Sequence, residues 1–125
     1  MNNCFILLAA GQSKRFKSSK HKQFISYKNK PLYEHSIIKA IESKLFKKII
    51  LVTNKKMIDF KKFKNKVKIL KGGKERSDSS FLGIKYAKKL GAKNVFIHDA
   101  ARPNFSINLL KNISKSLKKN QAVVP

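Results

Sequence analysis

The chain has 125 residues, the size of one domain, and its 42% hydrophobic and 29% charged residues suffice for one packed core and argue against a disordered tail. Its 30 Lys and Arg against 6 Asp and Glu give a formal charge of +24, so anionic partners are favoured. A single cysteine, Cys4, cannot form an internal disulfide, which points to a reducing cytoplasm.

Cys4 to Ala9 is a continuous apolar run ended by Gly11 and reads as a strand buried on both faces, with Cys4 a small core side chain. The run is too short to span a bilayer and has no basic segment before it, so neither a membrane helix nor a signal peptide is expected. Residues 11–30 carry Gly, Ser, Asn and many Lys without a sustained apolar period and read as a long loop of functional length. Pro31 suits the opening turn of a helix striped by Leu32, Ile37, Ile38, Ala40, Ile41 and Leu45.

Lys48 to Thr53 is the second expected strand, residues 57–63 a short helix, and Val67 to Leu70 a third strand stopped by Gly72 and Gly73. A helix from about Asp78 to Leu90 follows, capped by Ser77 or Asp78, with Phe81, Leu82 and Tyr86 or Ala87 inward and Gly91 as terminator. Asn94 to His98 is a fourth strand, expected to be central. Ser106 caps a last helix striped by Ile107, Leu110, Ile113 and Leu117, and Ala122 to Val124 begins a fifth strand. Alternating strands and helices predict an open α/β fold, a mainly parallel sheet covered by helices, with ligands outside the carboxyl ends of the strands.

Three loops there carry chemistry. In the first, Ala9, Ala10 and Gly11 let backbone approach a ligand, and Arg15 and Lys22 would hold positive charge beside a nucleotide triphosphate. The spacing is neither that of a P-loop nor of the dinucleotide fingerprint, and a solvated basic loop explains it equally well. In the second, Gly72 to Ser80, helix capping accounts for much of the composition, while Ser79 and the Gly73–Lys74 backbone could hydrogen-bond a base edge. In the third, His98 to Pro103, Asp99 at a strand end suits a hard cation, magnesium being the natural candidate; an Asp99–Arg102 ion pair is the structural alternative. His98 alternates to the opposite face and reads as packed, and His21 and His35 show no metal-ligand spacing.

Taken together, Leu8 to Gly11 with Arg15, Lys22 with Gln23, Gly72 and Gly73 with Glu75 and Arg76, and His98 to Pro103 resemble the 2-C-methyl-D-erythritol 4-phosphate cytidylyltransferase family. The order and spacing match over nearly the whole chain; the first motif alone would indicate only a Rossmann-like nucleotidyltransferase. Ribitol 5-phosphate cytidylyltransferases look similar but typically carry Val at the position of Ala101. The resemblance implies transfer of CMP from CTP to methylerythritol phosphate with release of pyrophosphate. It further implies catalytic roles for Arg15 and Lys22 and nucleotide contacts from Ala9, Ala10, Gly11, Gly73, Lys74 and Ser79. Asp99 matches a magnesium ligand, and Arg102 a residue facing the methylerythritol substrate. A homodimer is implied for the full-length protein.

His21 stands where the family usually has Pro, which is expected to loosen the loop aiming Lys22; Ser13 replaces a common Gly and Lys74 an acidic or polar residue. Val123 to Pro125 stop as a strand begins, whereas family members continue, so a domain truncated at its C-terminus is expected, with weak or absent turnover by this piece alone. A basic nucleic-acid-binding module is the reading from another class. It has poor support, because no helix-turn-helix, zinc-knuckle or RNP pattern is present and the lysines are spread almost evenly. No specific nucleic-acid partner and no membrane association are expected.

Overall fold

The computed structural model describes residues 3–9, 26–27, 30–53, 66–100 and 105–117. Strand β1, Asn3–Ala9, is buried at every position, as its unbroken apolar run requires. A two-stranded antiparallel ribbon, β2 Ser26–Tyr27 with β3 Lys30–Pro31, follows, and helix α1 spans Leu32–Ser43. Next come β4 Lys48–Thr53, β5 Val67–Lys71, helix α2 Arg76–Lys89, β6 Asn94–Asp99 and helix α3 Ile107–Leu117.

The four longer strands form one parallel sheet in the order β5-β4-β1-β6. The chain therefore steps from β1 outward to β4 and β5, then returns across the sheet through α2 to lay β6 on the other side of β1. The strand order reverses between β1 and β6, which makes that crevice the switch point of the sheet.

Alternation along β1 divides the interior in two. Phe5, Leu7 and Ala9 join Ile49, Leu51, Val67 and Phe96 beneath Ile37 and Ala40 of α1 and Leu110 of α3. Cys4, Ile6 and Leu8 join Ile50 and Val52 beneath Ala87 of α2. Burial pushes the Cys4 thiol above its ordinary pKa, against the opposing charge of Lys47, so this cysteine is a proton-holding core group.

Several expectations are met in detail. The Ser106 hydroxyl accepts the Leu109 N–H at 3.0 Å and caps α3. Gly91 takes φ +83, and the Gly91 N–H to Lys88 and Ala92 N–H to Ala87 bonds, each 3.0 Å, close α2 in a Schellman motif. Lys44, just past α1, also takes a left-handed φ of +58, a conformation that costs a residue with a side chain about 1–2 kcal/mol. Among the described residues no helix is long and apolar enough to cross a membrane.

Other expectations are corrected. Pro31 pairs with Ser26 in the ribbon rather than opening α1, so residues 11–30 are not one unbroken loop. β6 stands beside β1 at one edge of the four described strands of the parallel sheet, and its expected central place depends on residues outside those described. The N-cap of α2 is Glu75, whose N–H donates to the Asp78 carboxylate at 3.1 Å; Asp78 serves from the first turn, and Ser77 is not the cap.

The inward face of α2 also differs from expectation. Phe81 is 64% exposed and Leu82 37%, whereas Ser79, Gly83 and Ala87 are buried. At 100° per residue Phe81 stands about 200° round the helix from Ser79, so small residues make the sheet-facing stripe and let the backbone settle close to β1. A Cβ on Gly83 would lie 2.7 Å from Ile6 Cγ2, a side chain with no exposed surface. Gly83→Val is therefore expected to lower the unfolding free energy by about 2 kcal/mol, despite the better helix propensity of Val, as a lower urea midpoint would show.

The expected residues 57–63 helix and the Ala122 to Val124 strand lie outside the described residues.

Candidate nucleotide site at the carboxyl edge

The sheet register brings the ends of its strands onto one line. Ala9 pairs with Thr53, Thr53 with Lys71, and Leu8 with Asp99. Bonds just beyond the strands tie these ends together: Gly72 N–H donates to the Thr53 carbonyl at 3.1 Å, and Ala100 N–H to the Leu8 carbonyl at 2.9 Å. The Thr53 hydroxyl, buried between β1 and β5, donates to the Ala9 carbonyl at 3.5 Å. Thr53 thus joins the start of the first loop to the start of the glycine turn. Sequence reasoning left it as an ordinary strand residue, although a hydroxyl ending an otherwise apolar strand was the available signal.

The glycine turn has its own internal support. Gly73 N–H donates to the Ser79 hydroxyl at 3.1 Å, and a Cβ at residue 73 would lie 2.5 Å from Asp78 Cβ, so the turn closes only with glycine. Ser79 is 2% exposed, which makes its hydroxyl a fixed strut for the Gly73 backbone. Its own O–H is a donor besides the acceptance from Gly73. The Lys74 side chain is exposed beside this turn. Capping and turn support, the structural reading of the segment, are both present, and together they fix the Gly73 backbone.

Asp99 ends β6 half-buried at the switch point, one ladder step from Ala9. His98 turns the other way, its ring 4.6 Å from that of Phe105 and 6.3 Å from that of Phe5, so it packs, as expected from the alternation. Asp99 consequently lies on the face covered by α2, the helix that carries Ser79 in its first turns and follows the Gly73 turn. Among the described residues no three of His, Cys, Asp and Glu lie together. One carboxylate with water and phosphate oxygens is a donor set that fits magnesium.

The structure thus brings Ala9, Gly73, Lys74, Ser79 and Asp99 to one edge of the sheet. Ala10, Gly11, Arg15, Lys22 and Arg102 lie outside the described residues, as do Ser13 and His21.

The 2-C-methyl-D-erythritol 4-phosphate cytidylyltransferase family model matches residues 3–125. The bifunctional enzyme IspD/IspF of Pelagibacter ubique is 50% identical over the whole of this chain, which covers 34% of that protein. A 2-C-methyl-D-erythritol 4-phosphate cytidylyltransferase of Clostridium botulinum strain Langeland is 40% identical over 88% of the chain and 51% of its own length. Among solved structures, the bifunctional IspDF from Campylobacter jejuni superposes with a TM-score of 0.75 at 31% identity, covering 95% of this chain and 31% of that one. The chain spans about a third to a half of the length of these relatives. With the family model matched from residue 3 to residue 125 and a relative 50% identical over the whole chain, the chain belongs to the 2-C-methyl-D-erythritol 4-phosphate cytidylyltransferase family.

Proposed function

We propose that this chain supplies the CTP-binding part of an enzyme that transfers CMP from CTP to 2-C-methyl-D-erythritol 4-phosphate in the non-mevalonate route to isoprenoid precursors. A phosphate oxygen of the alcohol phosphate attacks the α-phosphorus of CTP. The bond from that phosphorus to the bridging oxygen of the β-phosphate breaks, and pyrophosphate leaves. The observation that carries this reading is the placement of Ala9 and Asp99 on either side of the switch point, with the Gly73 turn on the same edge.

The roles divide by location. Backbone from Ala9 through Ala10 and Gly11 holds the triphosphate, Arg15 and Lys22 offset charge that gathers around the attacked phosphorus, and Arg102 faces the alcohol phosphate. Gly73 and Ser79 select cytosine, chiefly through the backbone that their hydrogen bond fixes; Lys74 contributes its backbone, its side chain being exposed. Asp99 would hold a magnesium ion, which supplies charge neutralisation at the phosphates. Positioning and electrostatics suffice, and no nucleophilic side chain is needed. The protein works in the cytoplasm, in keeping with its lone buried thiol, and as a homodimer in its longer form.

The test is a chimera in which this chain is continued by the remaining cytidylyltransferase length of the Pelagibacter ubique relative. Pyrophosphate release should require CTP and magnesium and be faster with methylerythritol phosphate than with ribitol 5-phosphate, and Lys22→Ala should abolish it. Full activity of Lys22→Ala would overturn the site assignment. Tight DNA binding at physiological salt without any preference for CTP would overturn the enzymatic reading altogether.

A further inference from the structure

At the opposite end of the sheet lies a cavity of about 540 Å³, lined among the described residues by Ile41, Lys44, Phe46, Lys47, Ile49 and Lys66. It sits where α1 ends and where β4 and β5 begin, separated from the carboxyl edge by the six residues of β4, about 20 Å at a strand's rise. Its floor is apolar and fixed: Phe46 is 7% exposed and Ile49 2%, and both belong to the main core. Its rim carries three exposed lysines from three separate places, the end of α1, the approach to β4 and the turn before β5. Among the described residues none of these three ammonium groups has a carboxylate partner.

The backbone supplies an independent sign. Lys44 keeps a left-handed φ of +58 at a position where glycine or asparagine would be relaxed. Strain held at a cavity rim is a pointer to function rather than to stability. We infer that this cavity is a second ligand site, distinct from the nucleotide edge, for a small organic anion: a phosphate or carboxylate head met by Lys44, Lys47 and Lys66, on a short apolar body seated against Ile41, Phe46 and Ile49. Head and body are both required, because the lysines alone resemble the rest of a surface rich in lysine, and an apolar floor alone would not gather three lysines at its rim. The volume falls in the range of small-molecule sites. The inference stands whether or not the nucleotide reading does.

The experiment is an NMR titration of the isotope-labelled 125-residue chain at about 0.15 M salt, where distant charges are screened. The probes are hexyl phosphate, hexanoate, inorganic phosphate and hexanol. Amide shifts at Ile41, Phe46, Ile49 and Lys66 should saturate with hexyl phosphate at least about tenfold more tightly than with inorganic phosphate, the gain from burying two or three methylenes, and also more tightly than with hexanol, which has the same apolar body but no charged head. Hexanoate distinguishes a carboxylate from a phosphate head. Lys44→Gly removes one ammonium while relieving the backbone, so binding should weaken roughly two- to fivefold while the melting temperature rises, a combination that misfolding cannot produce. Lys88→Gln with Lys89→Gln, in the last turn of α2, lowers the net charge by more and should leave binding unchanged. Equal affinity for inorganic phosphate and hexyl phosphate overturns the inference, as does an equal loss in the α2 control, or shifts confined to other surfaces.

Discussion

Phe5→Ala is expected to remove about 4 kcal/mol of stability, enough to leave a domain of ordinary stability near its unfolding threshold. Phe5 is 1% exposed in the middle of β1, and its ring centroid lies 5.0 Å from that of Phe46, 5.9 Å from that of Phe105 and 6.3 Å from that of His98. Those three rings come from the approach to β4, the approach to α3 and the end of β6. Each is held by contacts that do not involve Phe5, Phe46 standing edge-on to Phe96 at 4.9 Å and His98 edge-on to Phe105 at 4.6 Å. The surrounding groups therefore cannot close the void together, which places the cost toward the upper end for such a deletion. Phe5→Leu keeps most of the volume and should cost about 1 kcal/mol. Urea denaturation measures both; a loss below about 2 kcal/mol for Phe5→Ala would show that the aromatic cluster collapses after all. The substitution also reaches the candidate site, because His98 is the residue that anchors β6 immediately before Asp99.

The elements that were legible in the sequence are those whose burial leaves a compositional mark. Cys4 to Ala9 and Lys48 to Thr53 read as strands because a parallel sheet covered on both faces needs apolar residues at nearly every position. Ser106 and Gly91 read as helix boundaries because their chemistry is local. Strand order left no such mark: a crossover through α2 can place β6 beside β1 or beyond β5 with the same residues, and it is this choice that creates the switch point beside Asp99. The face of α2 was hidden for a different reason. Hydrophobic periodicity weighs large side chains, and here close packing of helix on sheet uses Ser79, Gly83 and Ala87 while Phe81 faces solvent. For the candidate site, motif residues at Gly73, Ser79 and Asp99 could be picked out singly, but the hydrogen bond from Gly73 to Ser79 and the tie through Thr53 join residues that no spacing rule connects.

Asp99→Asn separates the two roles that a carboxylate at this strand end can have. Asparagine keeps the shape and an acceptor oxygen and removes the charge. The backbone at this point is held by the β1–β6 ladder and by the Ala100 N–H to Leu8 carbonyl bond at 2.9 Å, neither of which involves the side chain. The fold should therefore survive with a melting temperature close to that of the parent. If Asp99 holds magnesium beside the phosphates, pyrophosphate release by the chimeric enzyme should fall on the order of a hundredfold, the scale for losing one group that supports transition-state charge. Part of the deficit should then return as magnesium is raised, because a weakened ligand set is still filled by mass action. If Asp99 instead only pairs with Arg102, the charge loss would shift the melting temperature while leaving the magnesium concentration for half-maximal rate untouched. A magnesium dependence unchanged from the parent would remove the metal role from Asp99. A dependence shifted to higher magnesium with the fold intact assigns the ion to the switch point between β1 and β6, where the ends of the two strands lie side by side.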